Sequence, residues 1–132
     1  MKRIALLALT ALPLLTAACG GGGEPGYCSD VDALERSVKD LGDVDVVAGG
    51  TNAVTDALQK VESNARVAVD AARDDFPDET GAISDSIADV KSSIRQLTDD
   101  PTGQEAARAA TDVSAVVTAV DNFVEATGSE CD

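Results

Sequence analysis

The sequence predicts an all-α fold: an antiparallel helical bundle of three long helices and one short N-terminal helix, with its termini joined by a disulfide. After residue 28, apolar residues recur at steps of three and four, which is the spacing of one face of an α-helix. Breaks that contain glycine or proline divide this pattern into four segments. Three of the apolar seams have matching lengths and polar residues opposite them, which is typical of helices that pack side by side.

Size and charge limit the classes of function. The 132 residues have room for one domain, and with only 2% aromatic residues its core must consist mainly of Val, Ile, Leu and Ala. The net charge is −14, and loss of residues 1–18, which carry Lys2 and Arg3, would make it about −16. Nucleic acid is therefore not expected as a partner, because phosphate backbones are bound by clustered Lys and Arg. The chain has no histidine, so the usual general base near neutral pH is missing.

The N-terminus has the pattern of an export signal. Lys2 and Arg3 provide a positive start, and residues 4–15 form an apolar run that is interrupted only by Thr10 and Pro13. A run of about 12 residues is too short to span a membrane, which takes about 20, but it fits the apolar region of a signal peptide.

The run ends in Leu15, Thr16, Ala17, Ala18 and Cys19, and this segment resembles the lipobox of bacterial lipoproteins. Thr16 departs from the pattern, since Leu is commonest three residues before the cysteine. The resemblance implies cleavage before Cys19, lipid on its thiol (palmitate among the expected acyl chains) and anchoring on the extracytoplasmic face of the cell membrane. The alternative is an ordinary secretory signal that is cut at an Ala-x-Ala-like site, with Cys19 incidental.

Residues 19–27 are interpreted as a lipidated flexible tether. The four glycines at 20–23 have too much backbone freedom to settle into a regular element. Such a tether spans roughly 15 Å on average, so the domain is expected to lie close to the bilayer. The predicted organisation is a lipoprotein signal peptide at 1–18, this tether at 19–27 and an acidic helical bundle at 28–132.

The two remaining cysteines, Cys28 and Cys131, stand at the two ends of the predicted domain. An exported chain enters an oxidising compartment, where a disulfide between them is expected. The bond would close a loop of about 100 residues and stabilise the domain by about 4–5 kcal/mol. The alternative, a metal pair or a redox couple, lacks a CxxC spacing and any histidine.

The first helix is predicted to begin at a cap formed by Ser29 and Asp32 and to end at Gly42. At about 12 residues it would be roughly 18 Å long, against roughly 36 Å for a second helix of about 24 residues. The stretch 43–47 alternates like an extended strand, and it is expected to cover the missing length with Val44 and Val46 turned inward. The seam of the first helix is Val31, Leu34, Val38 and Leu41.

The second helix is expected to be capped by Thr51 or Asn52 and to end before Pro77. The third is expected to begin near Asp78 and to end at the turn 99–101. The seam of the second helix is Val54, Leu58, Val61, Ala65, Ala68 and Ala72, and that of the third is Ile83, Ile87, Val90, Ile94 and Leu97.

The fourth helix begins with a predicted capping box of Thr102 and Glu105 and is expected to run to Gly128. An even number of passes would bring Cys28 and Cys131 together at the pole that faces the membrane. The seam of the fourth helix is Ala106, Ala109 or Ala110, Val113, Val116 or Val117, Val120, Phe123 and Val124.

No motif predicts catalysis. The sequence lacks GxSxG, HExxH and a phosphate-binding glycine loop, so we expect no enzyme, no catalytic residue and no cofactor. Carboxylates crowd the turn between the second and third helices, and oxygen ligands on a loop suit Ca²⁺, although acidic residues are also ordinary at a helix start. This acidic turn, a weak candidate metal site, consists of Asp74, Asp75, Asp78 and Glu79.

By elimination, the predicted function is that of a membrane-anchored extracytoplasmic lipoprotein acting as a non-enzymatic binding or structural module with a protein partner in the cell envelope. The alternative is a calcium-dependent module that uses the acidic turn. Phe76 and Phe123 fall on seams, which leaves Val67, Val69 and Val117 as apolar residues beyond the seams. These three valines either form a binding patch or are buried by neighbouring helices.

Overall fold

The computed structural model describes residues 25–45 and 48–131. These residues form four helices and no strand: α1 (Cys28–Gly42), α2 (Gly50–Ala72), α3 (Pro77–Asp99) and α4 (Gly103–Cys131). The predicted all-α class is confirmed.

The helices form a bundle around one core. In the described part of the chain, α1 packs against α2 and α4, and α3 packs against the same two helices, whereas the backbones of the other two pairs do not approach each other closely. Each helix therefore buries one stripe between two neighbours and keeps its other side in solvent.

The predicted seams coincide with buried residues except at Ala106 and Val124 of α4, which are half-buried and pack against the core. In α2 all six predicted seam positions are buried, and in α1 and α3 every predicted position is buried as well. In α4 the structure selects between the predicted alternatives: Ala109 and Val116 are buried, Ala110 is exposed and Val117 is half-buried. The core consists almost entirely of aliphatic residues, as the composition predicts.

The segment after α1 is a turn, and the strand-like conformation predicted for 43–47 is wrong for the part described, 43–45. The N–H of Val44 donates to the carbonyl of Leu41 at 3.2 Å, and the N–H of Gly49 donates to the carbonyl of Asp45 at 2.7 Å. Val44 is half-buried against the core, as expected, whereas Val46 lies outside the described residues. Alternating polarity occurs in turns as well as in strands, so local alternation alone cannot distinguish the two.

The predicted N-caps of the first two helices are wrong. Tyr27 and Gly49 occupy the two N-cap positions, and neither helix has a side-chain cap hydrogen bond. Gly50 follows with φ +67°, a conformation that favours glycine. A cap contributes only about 1 kcal/mol, so other interactions of a helix can outweigh it.

Half of the predicted capping box is present at the start of α4. The N–H of Glu105 donates to Oγ1 of Thr102 at 3.3 Å, which is the expected forward bond. The carboxylate of Glu105 lies 4.0 Å from Arg108 rather than returning to Thr102.

The end predicted for the fourth helix at Gly128 is also wrong, because α4 continues to Cys131. A glycine inside a helix costs about 1 kcal/mol relative to alanine. Contacts made by Glu130 and Cys131 with the start of α1 hold this last turn in place and offset that cost.

Small hydroxyl side chains complete the core. Each donates to a carbonyl three or four residues earlier in its own helix, as Thr127 does to Phe123 at 2.9 Å, so burial leaves no hydroxyl unsatisfied. The buried hydroxyl residues are Ser37, Thr80, Ser86, Ser93 and Thr127.

Candidate functional site

The predicted lipidation site lies outside the described residues. This holds for Cys19, for the signal at 1–18 and for the tether as far as residue 24. The described end of the tether is a turn, in which the N–H of Cys28 donates to the carbonyl of Pro25 at 3.1 Å. Tyr27 is buried, with 7% of its surface exposed, so by packing it belongs to the helical domain rather than to the tether.

The start of α1 and the end of α4 meet at one end of the bundle. Although Cys28 and Cys131 are 103 positions apart, their Cα atoms are 5.5 Å apart and their sulfurs lie at disulfide distance, 2.09 Å. The predicted proximity of the two cysteines is confirmed. We refer to this end, with Tyr27, Cys28, Phe76, Glu130 and Cys131, as the cysteine pole.

A second contact joins the same two chain ends. The hydroxyl of Tyr27 donates a hydrogen bond to Oε2 of Glu130, one residue away from the cysteine pair on each side. This bond to Glu130, together with burial and the negative charges of Glu130 and Asp75, raises the pKa of Tyr27 to about 12. The phenol therefore keeps its proton over the physiological pH range. Its role is to link the start of α1 to the end of α4 rather than to act as an acid or base.

Three aromatic rings extend from the Tyr27–Glu130 hydrogen bond into the core. The ring of Tyr27 meets that of Phe76 edge to face, with centroids 6.1 Å apart, and Phe76 meets Phe123 in the same way at 6.1 Å. Phe123 is fully buried, whereas Phe76 is half-buried. Because Phe76 lies between α2 and α3, their connection is also at the cysteine pole.

The acidic turn stands beside these rings, but its carboxylates are not gathered. Asp74, Asp75 and Asp78 are exposed and Glu79 is half-buried. Within residues 25–45 and 48–131, no three side chains of His, Cys, Asp or Glu are grouped so that they could hold a metal ion. The acidic turn is therefore not arranged as a metal site in the described part of the chain.

The three valines beyond the seams have different environments. Val69 and Val117 are half-buried and pack against the core, which agrees with burial by neighbouring helices. Val67 is the one large apolar residue of the described chain that is exposed, at 52%. A single exposed valine is ordinary on a protein surface and does not make a patch.

The most clearly organised polar feature away from the cysteine pole is an ion pair between α2 and α3. Nζ of Lys91 lies 2.8 Å from Oε1 of Glu62, and Arg66 approaches the same carboxylate at 3.9 Å. All three side chains are partly exposed, so the group contributes roughly 1 kcal/mol or less and holds two helices together at the surface.

No protein-family model, curated protein or solved structure matches the chain. Among the described residues, no helix is both long enough and apolar enough to cross a membrane.

Proposed function

We propose that the chain is a bacterial lipoprotein, anchored through lipid on Cys19 to the extracytoplasmic face of the cell membrane, whose helical domain is a non-enzymatic binding or structural module of the cell envelope. The observation that carries this proposal is the sequence around Cys19: a positive start, a short apolar run and small residues directly before the cysteine.

The geometry of the cysteine pole supports export. Cys28 and Cys131 lie at disulfide distance, and a disulfide persists in oxidising compartments outside the cytoplasm. The bond and the signal are independent features, since one joins residues 103 positions apart and the other lies wholly in the first 19 residues. Both indicate the same side of the membrane.

We also propose the finer description of the fold, an antiparallel bundle of three long helices and one short one. α2, α3 and α4 have 23, 23 and 29 residues, against 15 in α1. Short connections favour antiparallel neighbours, and four antiparallel passes return the chain to the pole where it began. The tether then enters the domain at the cysteine pole, which faces the bilayer.

A binding or structural role follows from the surface. With about 16 excess negative charges after cleavage and no cationic cluster, the module is suited to protein partners rather than to nucleic acid. The fold keeps its apolar residues inside and leaves long helical faces in solvent. A partner therefore binds on those faces or at an end of the bundle.

The anchoring is tested by growing a bacterial host that expresses the full chain with an alkyne analogue of palmitate, followed by mass spectrometry of the N-terminal peptide. We expect label on Cys19, loss of label in Cys19→Ala, and unchanged label in the matched control Cys131→Ala. A mature N-terminus with an unmodified Cys19 thiol would instead establish an ordinary secreted protein.

The module's role is tested separately by crosslinking in intact cells. We expect a reproducible adduct with an envelope protein for the wild-type chain, and less of it when Cys19→Ala removes the domain from the membrane. If repeated experiments captured no partner and deletion of the gene left envelope integrity unchanged, the proposed role would be contradicted.

A further inference from the structure

The two cysteines of the cysteine pole differ in burial. Cys28 has 3% of its surface exposed and belongs to the core of the bundle. Cys131 is half-buried at the edge of the same core and keeps part of its surface in solvent. A reagent in solution therefore reaches Cys131 more readily than Cys28.

This difference in burial selects the sulfur that an external thiol can attack. In thiol–disulfide exchange a thiolate attacks one sulfur of the disulfide and the other sulfur leaves, and the rate depends on access to the sulfur that is attacked. Attack on Cys28 would require a reagent to reach a sulfur inside the core. Attack on Cys131 requires only an approach to the half-exposed end of α4.

The ends of the two helices favour the same direction of exchange. Cys28 is the first residue of α1, and Cys131 is the last residue of α4. The N-terminal end of a helix stabilises a thiolate, whereas the C-terminal end disfavours one. The start of α1 has no side-chain cap hydrogen bond, although Asp30 in its first turn offsets part of the stabilisation. Cys28 is therefore the better leaving group of the two.

The contacts of the pole hold the sulfur that leaves close to its partner. Sγ of Cys28 lies 3.9 Å from the carbonyl oxygen of Glu130, to which a Cys28 thiol can donate a weak hydrogen bond. The hydrogen bond from Tyr27 to Glu130 still joins the start of α1 to the end of α4 when the disulfide is open. The two cysteines therefore remain near each other, and the disulfide can close again.

We infer that Cys131 is the exchange site of the domain, the sulfur that forms a mixed disulfide with an external thiol. In this step the external thiolate bonds to Sγ of Cys131, the bond between Cys131 and Cys28 breaks, and Sγ of Cys28 leaves as a thiolate that takes a proton from water. The external sulfur is oxidised to a disulfide while Cys28 is reduced to a thiol. In the reverse direction, the thiolate of Cys28 attacks the mixed disulfide at Cys131, closes the native bond and releases the external thiol.

The test is to locate the first adduct on the wild-type protein. The full mature chain, oxidised and in a nonionic detergent, is exposed briefly to glutathione, and excess N-ethylmaleimide then blocks all free thiols. After trypsin digestion, mass spectrometry finds Cys131 in the peptide that follows Arg108 and Cys28 in the peptide that ends at Arg36. Fragment ions separate Cys28 from Cys19, which lies in the same peptide.

We expect chains with glutathione on Cys131 and maleimide on Cys28 to exceed the reverse arrangement about tenfold or more. The control is the same mapping in urea, where both sulfurs are in solvent and we expect the two arrangements to differ by less than about threefold. Glutathione mainly on Cys28, or equally on both cysteines of the folded protein, would overturn the inference. So would the absence of any mixed disulfide under conditions in which a phosphine opens the bond.

Two single variants give a second measurement. Cys28→Ser leaves the thiol of Cys131, and Cys131→Ser leaves the thiol of Cys28, with the same loss of the crosslink in both. We expect an aromatic disulfide reagent to react about tenfold or more faster with the thiol of Cys131 when circular dichroism shows both variants to be folded. Equal rates in the folded variants would contradict the inference, and the mapping on the wild-type chain does not depend on how the variants fold.

The external thiol can belong to a small molecule or to a thiol–disulfide oxidoreductase, and a second arm distinguishes these sources. An oxidoreductase whose CxxC motif has its second cysteine replaced by alanine retains its substrate as a mixed disulfide. We expect the retained bond to be on Cys131, and a bond on Cys28 would overturn the inference. If the enzyme retains no chain while glutathione modifies Cys131, the site serves small thiols.

The inference is independent of the proposed lipid anchor. The mapping is repeated with Cys19→Ala, for which we expect the same preference for Cys131. Failure of palmitate to label Cys19 would reject the anchor alone, whereas glutathione on Cys28 would reject the exchange site alone.

Discussion

Removal of the cysteine pair should destabilise the domain strongly, and the size of the effect follows from the chain separation. The perturbation is Cys28→Ala with Cys131→Ala, which leaves the proposed lipidation site intact. A crosslink between residues 103 positions apart restricts the unfolded chain, and a loop of about 100 residues corresponds to about 4.7 kcal/mol at 25 °C. This is a large part of the 5–15 kcal/mol that stabilises a typical domain.

The expected change in melting temperature is correspondingly large. Unfolding a domain of roughly 105 residues releases about 2.1 cal/mol/K per residue, which is about 0.22 kcal/mol/K for the whole domain. A loss of about 4.7 kcal/mol therefore lowers Tm by about 20 °C. The Tyr27–Glu130 hydrogen bond does not compensate, because it acts in the folded state and leaves the unfolded chain unrestricted.

The assay is thermal unfolding followed by circular dichroism at 222 nm, with and without a phosphine reductant. We expect the wild-type protein with reductant to melt close to the double variant, and the double variant to be insensitive to reductant. Cys19→Ala is the matched control, because it removes a cysteine and keeps the pair. A double variant that melts within about 3 °C of wild type, or alkylation of Cys28 and Cys131 in the folded, unreduced protein, would refute the reasoning.

Three further predictions concern the core, the cysteine pole and the acidic turn. Phe123→Ala should lower the free energy of unfolding, measured by urea denaturation, by about 3–5 kcal/mol because the ring is fully buried. The exposed control Val67→Ala should change it by less than about 0.5 kcal/mol, and similar values for the two variants would contradict the packing. The folded state holds the phenol proton of Tyr27 more tightly than the unfolded state, with a pKa of about 12 against 10.0. The stability that this difference gives to the folded state is complete below pH 10 and is lost as the pH rises towards 12. Denaturation between pH 9 and 11.5 should therefore show the stability advantage of wild type over Tyr27→Phe shrinking, and absorbance at 295 nm titrates the single tyrosine directly; an advantage that is constant with pH would count against the bond to Glu130. Millimolar Ca²⁺ should leave Tm where NaCl of matched ionic strength leaves it, because the carboxylates of the acidic turn are not gathered; a shift specific to Ca²⁺ would revive the calcium-dependent alternative.

Much of the fold could be predicted because helix periodicity is a local property. The six seam positions of α2 are spaced by four and three residues, and any helix with that pattern buries that side. The breaks before α2, α3 and α4 could be predicted for a similar reason, since Gly and Pro limit the backbone wherever they occur. The approach of Cys28 and Cys131 was expected from an even number of helical segments, and that number depends only on a count along the sequence.

The candidate sites were less predictable. Tyr27 and Glu130 each precede one cysteine of the predicted pair, so the pair places them at the same end of the bundle. Whether the phenol meets the carboxylate depends on how the start of α1 and the end of α4 are oriented, which the sequence does not show. The four carboxylates of the acidic turn are close along the chain, but closeness along the chain does not by itself gather side chains into a metal site.

The sequence by itself determined the number of helices, the face that most of them bury, the excess of negative charge and the lipobox-like segment at Cys19. These features depend on residue type and short-range spacing. The tertiary structure alone decided between Ala109 and Ala110 and between Val116 and Val117, and it carried α4 past Gly128 to Cys131. Adjacent positions differ by about 100° around a helix axis, so only the neighbouring helices fix which of two adjacent residues faces the core, and only contacts with α1 hold the last turn of α4.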